Sequence, residues 1–222
     1  MLFLDLETTG VEIDDKVCSC GLIDGEKKLY ELYNENKKIT PKASSVHYIT
    51  NEMIASKPSF QEGEIYAYLK QCNTAENILV VHNAKFICDM LSTHGFVFQG
   101  KVIDTKKVAK HCIPECESYA LSFLRYECKL YKNESYQLTC TALDDAYVVS
   151  LLYNYLSDFV TIEEMLDLSF KPVLLEKFPF GKYKGQYIEE IYYNDKTYIS
   201  WMLALDTLDE DLRYSLEYYI KG

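Results

Sequence analysis

Ten residues at the amino terminus, MLFLDLETTG, constrain this chain more than any other stretch. Leu2, Phe3 and Leu4 form an apolar run that stops at Thr8-Thr9-Gly10, the pattern of a short buried strand closed by a turn. Side chains alternate across a strand, so Asp5 and Glu7 fall on one face at its carboxy-terminal end. Adjacent acids repel, and burying them without a partner is costly. A divalent cation that prefers oxygen ligands, magnesium or manganese, removes that cost. Two solvated acids at the end of an edge strand would look the same in isolation, so companions elsewhere in the chain have to decide.

A chain of 222 residues, 48% hydrophobic and 26% charged, has the composition of a soluble globular protein with one large domain, or a medium and a small one. No apolar run approaches the ~20 residues that cross a bilayer, and no basic region precedes an apolar one at the amino terminus. A cytoplasmic protein with no membrane partner is expected. The eight cysteines are expected to be reduced thiols. Neither Cys18 with Cys20 nor Cys112 with Cys116 beside His111 repeats the two-residue gap of a zinc site. The net charge of −11 runs against a simple phosphate-binding surface. A protein that handles phosphate through bound metal nevertheless concentrates acids at its site, while lysines track the backbone. Lys101, Lys106, Lys107 and Lys110, then Lys171, Lys177, Lys182 and Lys184, are the candidates, with ordinary solvated lysines as the alternative.

Along the chain, strands are predicted over residues 16–23 and 27–33, joined by the Asp24-Gly25 turn. A polar segment opening at Pro41 leads to Ser44–Thr50. A helix capped by Ser59, with Glu62 completing a capping box, is predicted over 60–72. Strands follow over 77–81 and 101–104, with Thr105 as the cap of a lysine-bearing helix. Helices are predicted over 118–130 and 141–159, the latter amphipathic. Strands first, then strands alternating with helices, give a mixed α/β sheet flanked by helices.

FLDLETTG resembles the first motif of the DEDDh 3′-to-5′ exonucleases, and companion strings follow in order. VHYITNEM, around His47, resembles the segment after that motif, where a histidine lies close to the bound nucleotide. HNAKF, from His82 and Asn83, resembles the opening of the second motif. Beyond Phe170, FGKYKG and then YISWML resemble the carboxy-terminal module of bacterial exodeoxyribonuclease X-like proteins. The resemblance implies a ribonuclease-H-like mixed sheet over residues 1–165 and a small module over 170–222. It implies Asp5, Glu7 and Asp145 as catalytic and metal-binding residues, with Mg2+ or Mn2+ as cofactor. Thr8, Thr9, His47, His82 and Asn83 are then expected at the substrate, a nucleic acid and more narrowly a single-stranded DNA 3′ end. Lys182 and Lys184 join that set because lysines neutralise phosphates. Phe180 and Tyr183 are open to two readings, base-stacking faces or the core of the module itself.

Two positions depart from the motifs. The third motif is a histidine followed five residues later by an aspartate; Asp145 matches the aspartate, and Cys140 stands where the general-base histidine belongs. In the second motif HNAKF is followed by Ile87 in place of the aspartate, and Asp89 sits ~200° further round a helix. Lys16 also falls where relatives carry an acid. Losing a general base costs about 100- to 10,000-fold in rate. The expectation is therefore an impaired exonuclease, with a catalytically inactive, nucleic-acid-binding nuclease fold as the alternative. A partner-binding protein with an unrelated acidic surface ranks behind both.

Overall fold

The computed structural model of the protein describes residues 1–12, 14–114, 116–135 and 137–221. It falls into two compact units, one built on residues 1–112 and 116–169, the other on the chain from 170 onward. In the first unit β1 (Leu2–Thr8), β2 (Val17–Asp24) and β3 (Lys27–Leu32) form an antiparallel meander, with the Asp24-Gly25 turn between the last two. Next come α1 (Pro41–His47), α2 (Asn51–Ile54), a 3₁₀ turn over Phe60–Glu62 and α3 (Glu64–Gln71). β4 (Ile78–Val81), α4 (Ala84–Thr93), β5 (Lys101–Asp104) and α5 (Thr105–Cys112) alternate, and α6 (Leu121–Glu127), α7 (Ala142–Leu156) and α8 (Ile162–Leu168) complete the unit. The sheet order is β3-β2-β1-β4-β5, with β4 parallel to β1 and β5 parallel to β4. It is the mixed sheet flanked by helices that the sequence predicts.

Alternation along β1 divides the unit into two cores. Leu2, Leu4 and Leu6 are buried in a cluster with Leu69, Leu79 and Leu91, from α3, β4 and α4. Phe3 points the other way, edge-on to Tyr153 of α7 at 5.6 Å, beside a second cluster that includes Ile103, Val108, Leu124 and Val149. Each fully buried side chain of this kind contributes about 1.5–3 kcal/mol. Asp5 and Glu7 share the face of Phe3, so the acids lie on the side covered by α7.

Several boundaries differ from those read in the sequence. The helix expected over 60–72 breaks at Gly63 and restarts, because the Glu31 carboxylate accepts from the amides of Glu64 (3.1 Å) and Ile65 (2.7 Å) and opens a new helix there. Thr105 is not the cap of α5. Asp104 fills that role, accepting from the amides of Lys106 (2.9 Å) and Lys107 (3.3 Å), while the Thr105 hydroxyl lies 3.0 Å from the Val81 carbonyl. The helix expected over 118–130 is confined to α6 and is followed by left-handed Lys129 and a second 3₁₀ turn, Leu130–Asn133. α7 ends at Leu156, and Thr141 is its cap.

In the second unit, amide-to-carbonyl bonds from Phe178 to Gln186 and from Gly185 to Phe178 close a tight loop. α9 (Ile188–Asn194), α10 (Lys196–Leu203) and α11 (Glu210–Lys221) surround Phe178, Ile191, Ile199, Met202, Leu212 and Leu216. Tyr183 packs against this core, whereas Phe180 is exposed, so the two aromatics of the string part company. Among the described residues no helix is long and apolar enough to cross a membrane.

Candidate metal centre and active site

The site begins with a strand register. On β2, Gly21 pairs with Asp5 and Ser19 with Glu7. A Cβ on Gly21 would lie 2.2–2.3 Å from main-chain atoms of Ala142 and Leu143, so the first turn of α7 rests directly on the β2 backbone. Thr141 fixes that turn by accepting from the Asp144 amide at 3.2 Å. Asp145 follows, and its carboxylate meets those of Asp5 and Glu7 with ligand oxygens all within 4.8 Å of one another. Among the described residues this is the one His, Cys, Asp or Glu group with metal-ligand spacing.

Burial, reinforced by crowding of like charge, governs the electrostatics. Burial, then Asp145 and Glu7, hold the Asp5 carboxyl well above the usual carboxylate range, against a smaller opposing effect of the Leu6 amide. Burial and Asp145 raise Glu7 to about 7. Burial and then Asp144 raise Asp145 to about 6, while the Arg125 guanidinium draws it down. Without a counter-cation, burial and mutual repulsion work against ionising all three carboxyls together. A small, hard divalent ion with oxygen ligands fits this donor set.

The other residues named from the sequence lie in more ordinary surroundings. Thr8 and Thr9 are buried, with hydroxyls on the Gly10 carbonyl (2.5 Å) and Asp15 Oδ1 (2.7 Å), so both side chains shape the turn after β1. His47 is buried. Its Nδ1 accepts from the Ile49 amide at 3.1 Å and its Nε2 donates to the Thr8 carbonyl at 3.2 Å, tying α1 to the strand end. His82 donates from Nε2 to the Tyr119 carbonyl (2.8 Å) and meets the Thr105 hydroxyl at Nδ1 (3.0 Å); burial lowers it to about 4. Both ring nitrogens of each histidine are thus engaged.

Asn83 sits at φ 73° as the cap of α4. Ile87 is buried in the cluster of Leu2, Leu4 and Leu6, while Asp89 is exposed and pairs with Lys85 at 3.2 Å. Cys140 is exposed, at φ 60°, immediately before the cap of α7. Lys182 pairs with Asp195 at 3.1 Å, and Lys184 is exposed.

Three contributors escaped the sequence reading. Gly21 gave no signal, because a glycine inside a strand does not reveal what lies over it. Asp104 binds the amides of Asn83 (2.9 Å) and Ala84 (2.8 Å) as well as those of α5, and so joins the two helix starts. An acid at the end of a predicted strand, just before a helix, was the available clue. Arg125, one of only two arginines in the chain, forms a two-point pair with Glu134 that includes Nη2 to Oε2 at 2.7 Å.

A five-stranded mixed sheet with acids on its first strand and on a late helix defines a class, and residues 2–153 match the exonuclease family. The chain belongs to that family. Residues 178–204 match the exodeoxyribonuclease X-like C-terminal family. Over 99% of its length the chain is 27% identical to Exodeoxyribonuclease 10 of Escherichia coli strain K12, of which it covers 98%. It is also 25% identical to the DNA polymerase III subunit epsilon of Buchnera aphidicola, over 69% of this chain and 72% of that protein. Among solved structures, Exonuclease X in complex with 5′ overhanging duplex DNA superposes with a TM-score of 0.60 at 25% identity, covering 76% of this chain and 98% of that one. Escherichia coli Exonuclease I in complex with a dA16 oligonucleotide shares the fold, with a TM-score of 0.55 at 16% identity over 75% of this chain and 42% of that chain.

Proposed function

We propose that the protein is a divalent-metal 3′-to-5′ exonuclease acting on DNA 3′ ends, with turnover reduced at Ile87 and Cys140. The observation that carries this reading is the convergence of Asp5, Glu7 and Asp145 in a chain of the exonuclease family. The similarity to an exodeoxyribonuclease along almost the whole chain, and to a nuclease structure with bound DNA, supports DNA as substrate. Magnesium or manganese at these carboxylates supplies Lewis-acid polarisation of the phosphoryl oxygen and a more acidic water. Asp5, Glu7 and Asp145 would hold the cation, whose charge would favour their ionised forms. Thr8, Thr9 and His47 support the substrate floor by fixing the strand end and its turn, and Asn83 does so at the start of α4.

Among the described residues, the histidines and the extra aspartate nearest in sequence to the site motifs are already committed to other bonds. His47 and His82 have both ring nitrogens engaged, and the Asp144 carboxylate is occupied in the capping box with Thr141. Cys140 offers an exposed thiol in place of an imidazole. This deficit favours a second reading, a nuclease fold that binds nucleic acid without turnover. The deciding experiment incubates a 5′-labelled single-stranded oligonucleotide with manganese and three proteins: this chain, Ile87→Asp/Cys140→His, and Asp5→Ala. A slow ladder shortening from the 3′ end, faster in the double variant by up to about 100-fold and absent in Asp5→Ala, supports the proposal. Binding without cleavage in this chain supports the second reading, and cleavage that survives in Asp5→Ala removes the site.

A further inference from the structure

We infer that the second unit carries its own single-stranded nucleic-acid platform, in which Lys182 and Lys184 take phosphates beside the exposed rings of Trp201 and Phe180. The inference rests on the nuclease reading, because that reading supplies the strand. Trp201 is 54% exposed and Phe180 46% exposed on a unit whose core is complete without them. Trp201 ends a row of rings, lying 5.6 Å from Tyr198, which lies 4.9 Å from Tyr183, and Phe180 precedes that row in the same loop. The Lys182 ammonium stands 4.5 Å from the Tyr183 ring and 6.0 Å from that of Tyr198. Gly181, between Phe180 and Lys182, lies so close that a Cβ on it would be 2.8 Å from the Tyr198 hydroxyl, which brings the basic loop down onto the aromatic row.

The charge of the loop is opposite to that of the chain. Residues 177–187 hold Lys177, Lys182 and Lys184 and no acid, in a protein of net charge −11. Asp195 holds the row together, accepting from the Tyr183 hydroxyl at 2.7 Å, from Lys182 at 3.1 Å and from the Tyr198 amide at 3.1 Å. The Lys182 side chain is 62% exposed, and exposed pairs of this kind contribute little, so a phosphate can share the ammonium. Lysines with open aromatic faces suit the backbone and bases of a single strand, which stacks without regard to sequence. A second copy of this chain fits less well, since two bodies of like charge repel.

Trp201 is the single tryptophan of the chain, so its emission reports on this surface alone. The full chain, in EDTA so that nothing is cleaved, is titrated with an oligo-dT single strand. Expected are a saturable quench of Trp201 and a salt slope that falls by about 1.4 in Lys182→Ala/Lys184→Ala, two contacts at roughly 0.7 each for a single strand. Asp5→Ala should leave the quench unchanged. Trp201→Ala, followed by anisotropy of a labelled strand, should bind more weakly with an unaltered melt.

Four results would overturn the inference. In the first, anisotropy shows binding while Trp201 emission stays constant; the strand then lies elsewhere and the nuclease reading survives. In the second, neither signal responds, and the cleavage assay alone then judges that reading. In the third, the lysine double variant binds with unchanged affinity and slope. In the fourth, emission changes with protein concentration alone and sedimentation shows a dimer, so that a second copy covers the face.

Discussion

Asp144 and Asp145 are neighbours on α7 with divided tasks. Asp144 Oδ2 gathers four hydrogen bonds from the amides and hydroxyls of Thr139 and Thr141, at 2.9–3.1 Å, while the Asp145 carboxylate converges with Asp5 and Glu7. Successive helix positions differ by ~100°, which lets one residue reach back to the Thr141 cap and the next face the sheet. Burial pushes the Asp144 carboxyl up, but these bonds outweigh it and leave the group below its usual range.

That division predicts opposite outcomes for two adjacent substitutions. Asp144→Ala should destabilise the protein by about 1–3 kcal/mol through the lost cap and stranded threonines, and should keep its response to metal. Asp145→Asn should be neutral or stabilising in EDTA, because it removes a crowded charge, and should lose that response. Urea titrations of both variants with and without manganese measure the contrast.

Manganese should stabilise the unsubstituted protein by mass action, by about 2.7 kcal/mol at a hundredfold excess over the dissociation constant. Asp5→Ala should melt at one temperature with or without the ion. A persistent shift in that variant would place the cation elsewhere.

Glu7 sets a pH dependence in metal-free protein. Its folded value of about 7 lies above its ordinary 4.5, so the folded state keeps a proton that the unfolded chain has released. Stability from this group is full below about pH 4.5 and is lost as pH rises through about 7. Glu7→Gln should therefore gain on the unsubstituted protein across that window, by roughly 1–3 kcal/mol after allowance for solvent screening. His82, lowered to about 4, acts in the opposite sense in both proteins and cancels in the difference. Melts in EDTA at pH 4.5 and 7.5 test the sign.

Ile87→Asp should cost about 3–5 kcal/mol in EDTA, since an unpaired carboxylate would replace a side chain that is 2% exposed among leucines. Ile87→Val should cost about 1 kcal/mol. Denaturant midpoints for the two variants distinguish a packing position from a tolerant rim.

The sheet and the acids of β1 were legible because alternation is local: six residues suffice to show which face Asp5 and Glu7 share. Asp145 was legible through its motif, and the Ser59 capping box through its spacing. The split at Gly63 was not, since it depends on Glu31, a residue of β3 more than thirty positions earlier. Arg125 escaped for a similar reason, its influence on Asp145 arising from the packing of α6 against α7. His47 and His82 drew attention as polar residues in family motifs, and only the folded structure shows their nitrogens already committed.

Because Gly21 is the register partner of Asp5 and also the floor beneath α7, binding of an ion at the three carboxylates would be coupled to strand pairing. A cation held by Asp5, Glu7 and Asp145 would tie β1 to α7 across that contact, and opening the β1–β2 ladder would release it. Amide exchange should show this directly: the protons of Leu4, Leu6, Cys20 and Leu22 should slow together when manganese is added, while those of α11 keep their own rate. The occupied centre then serves as a rivet whose grip can be read from the edge of a sheet.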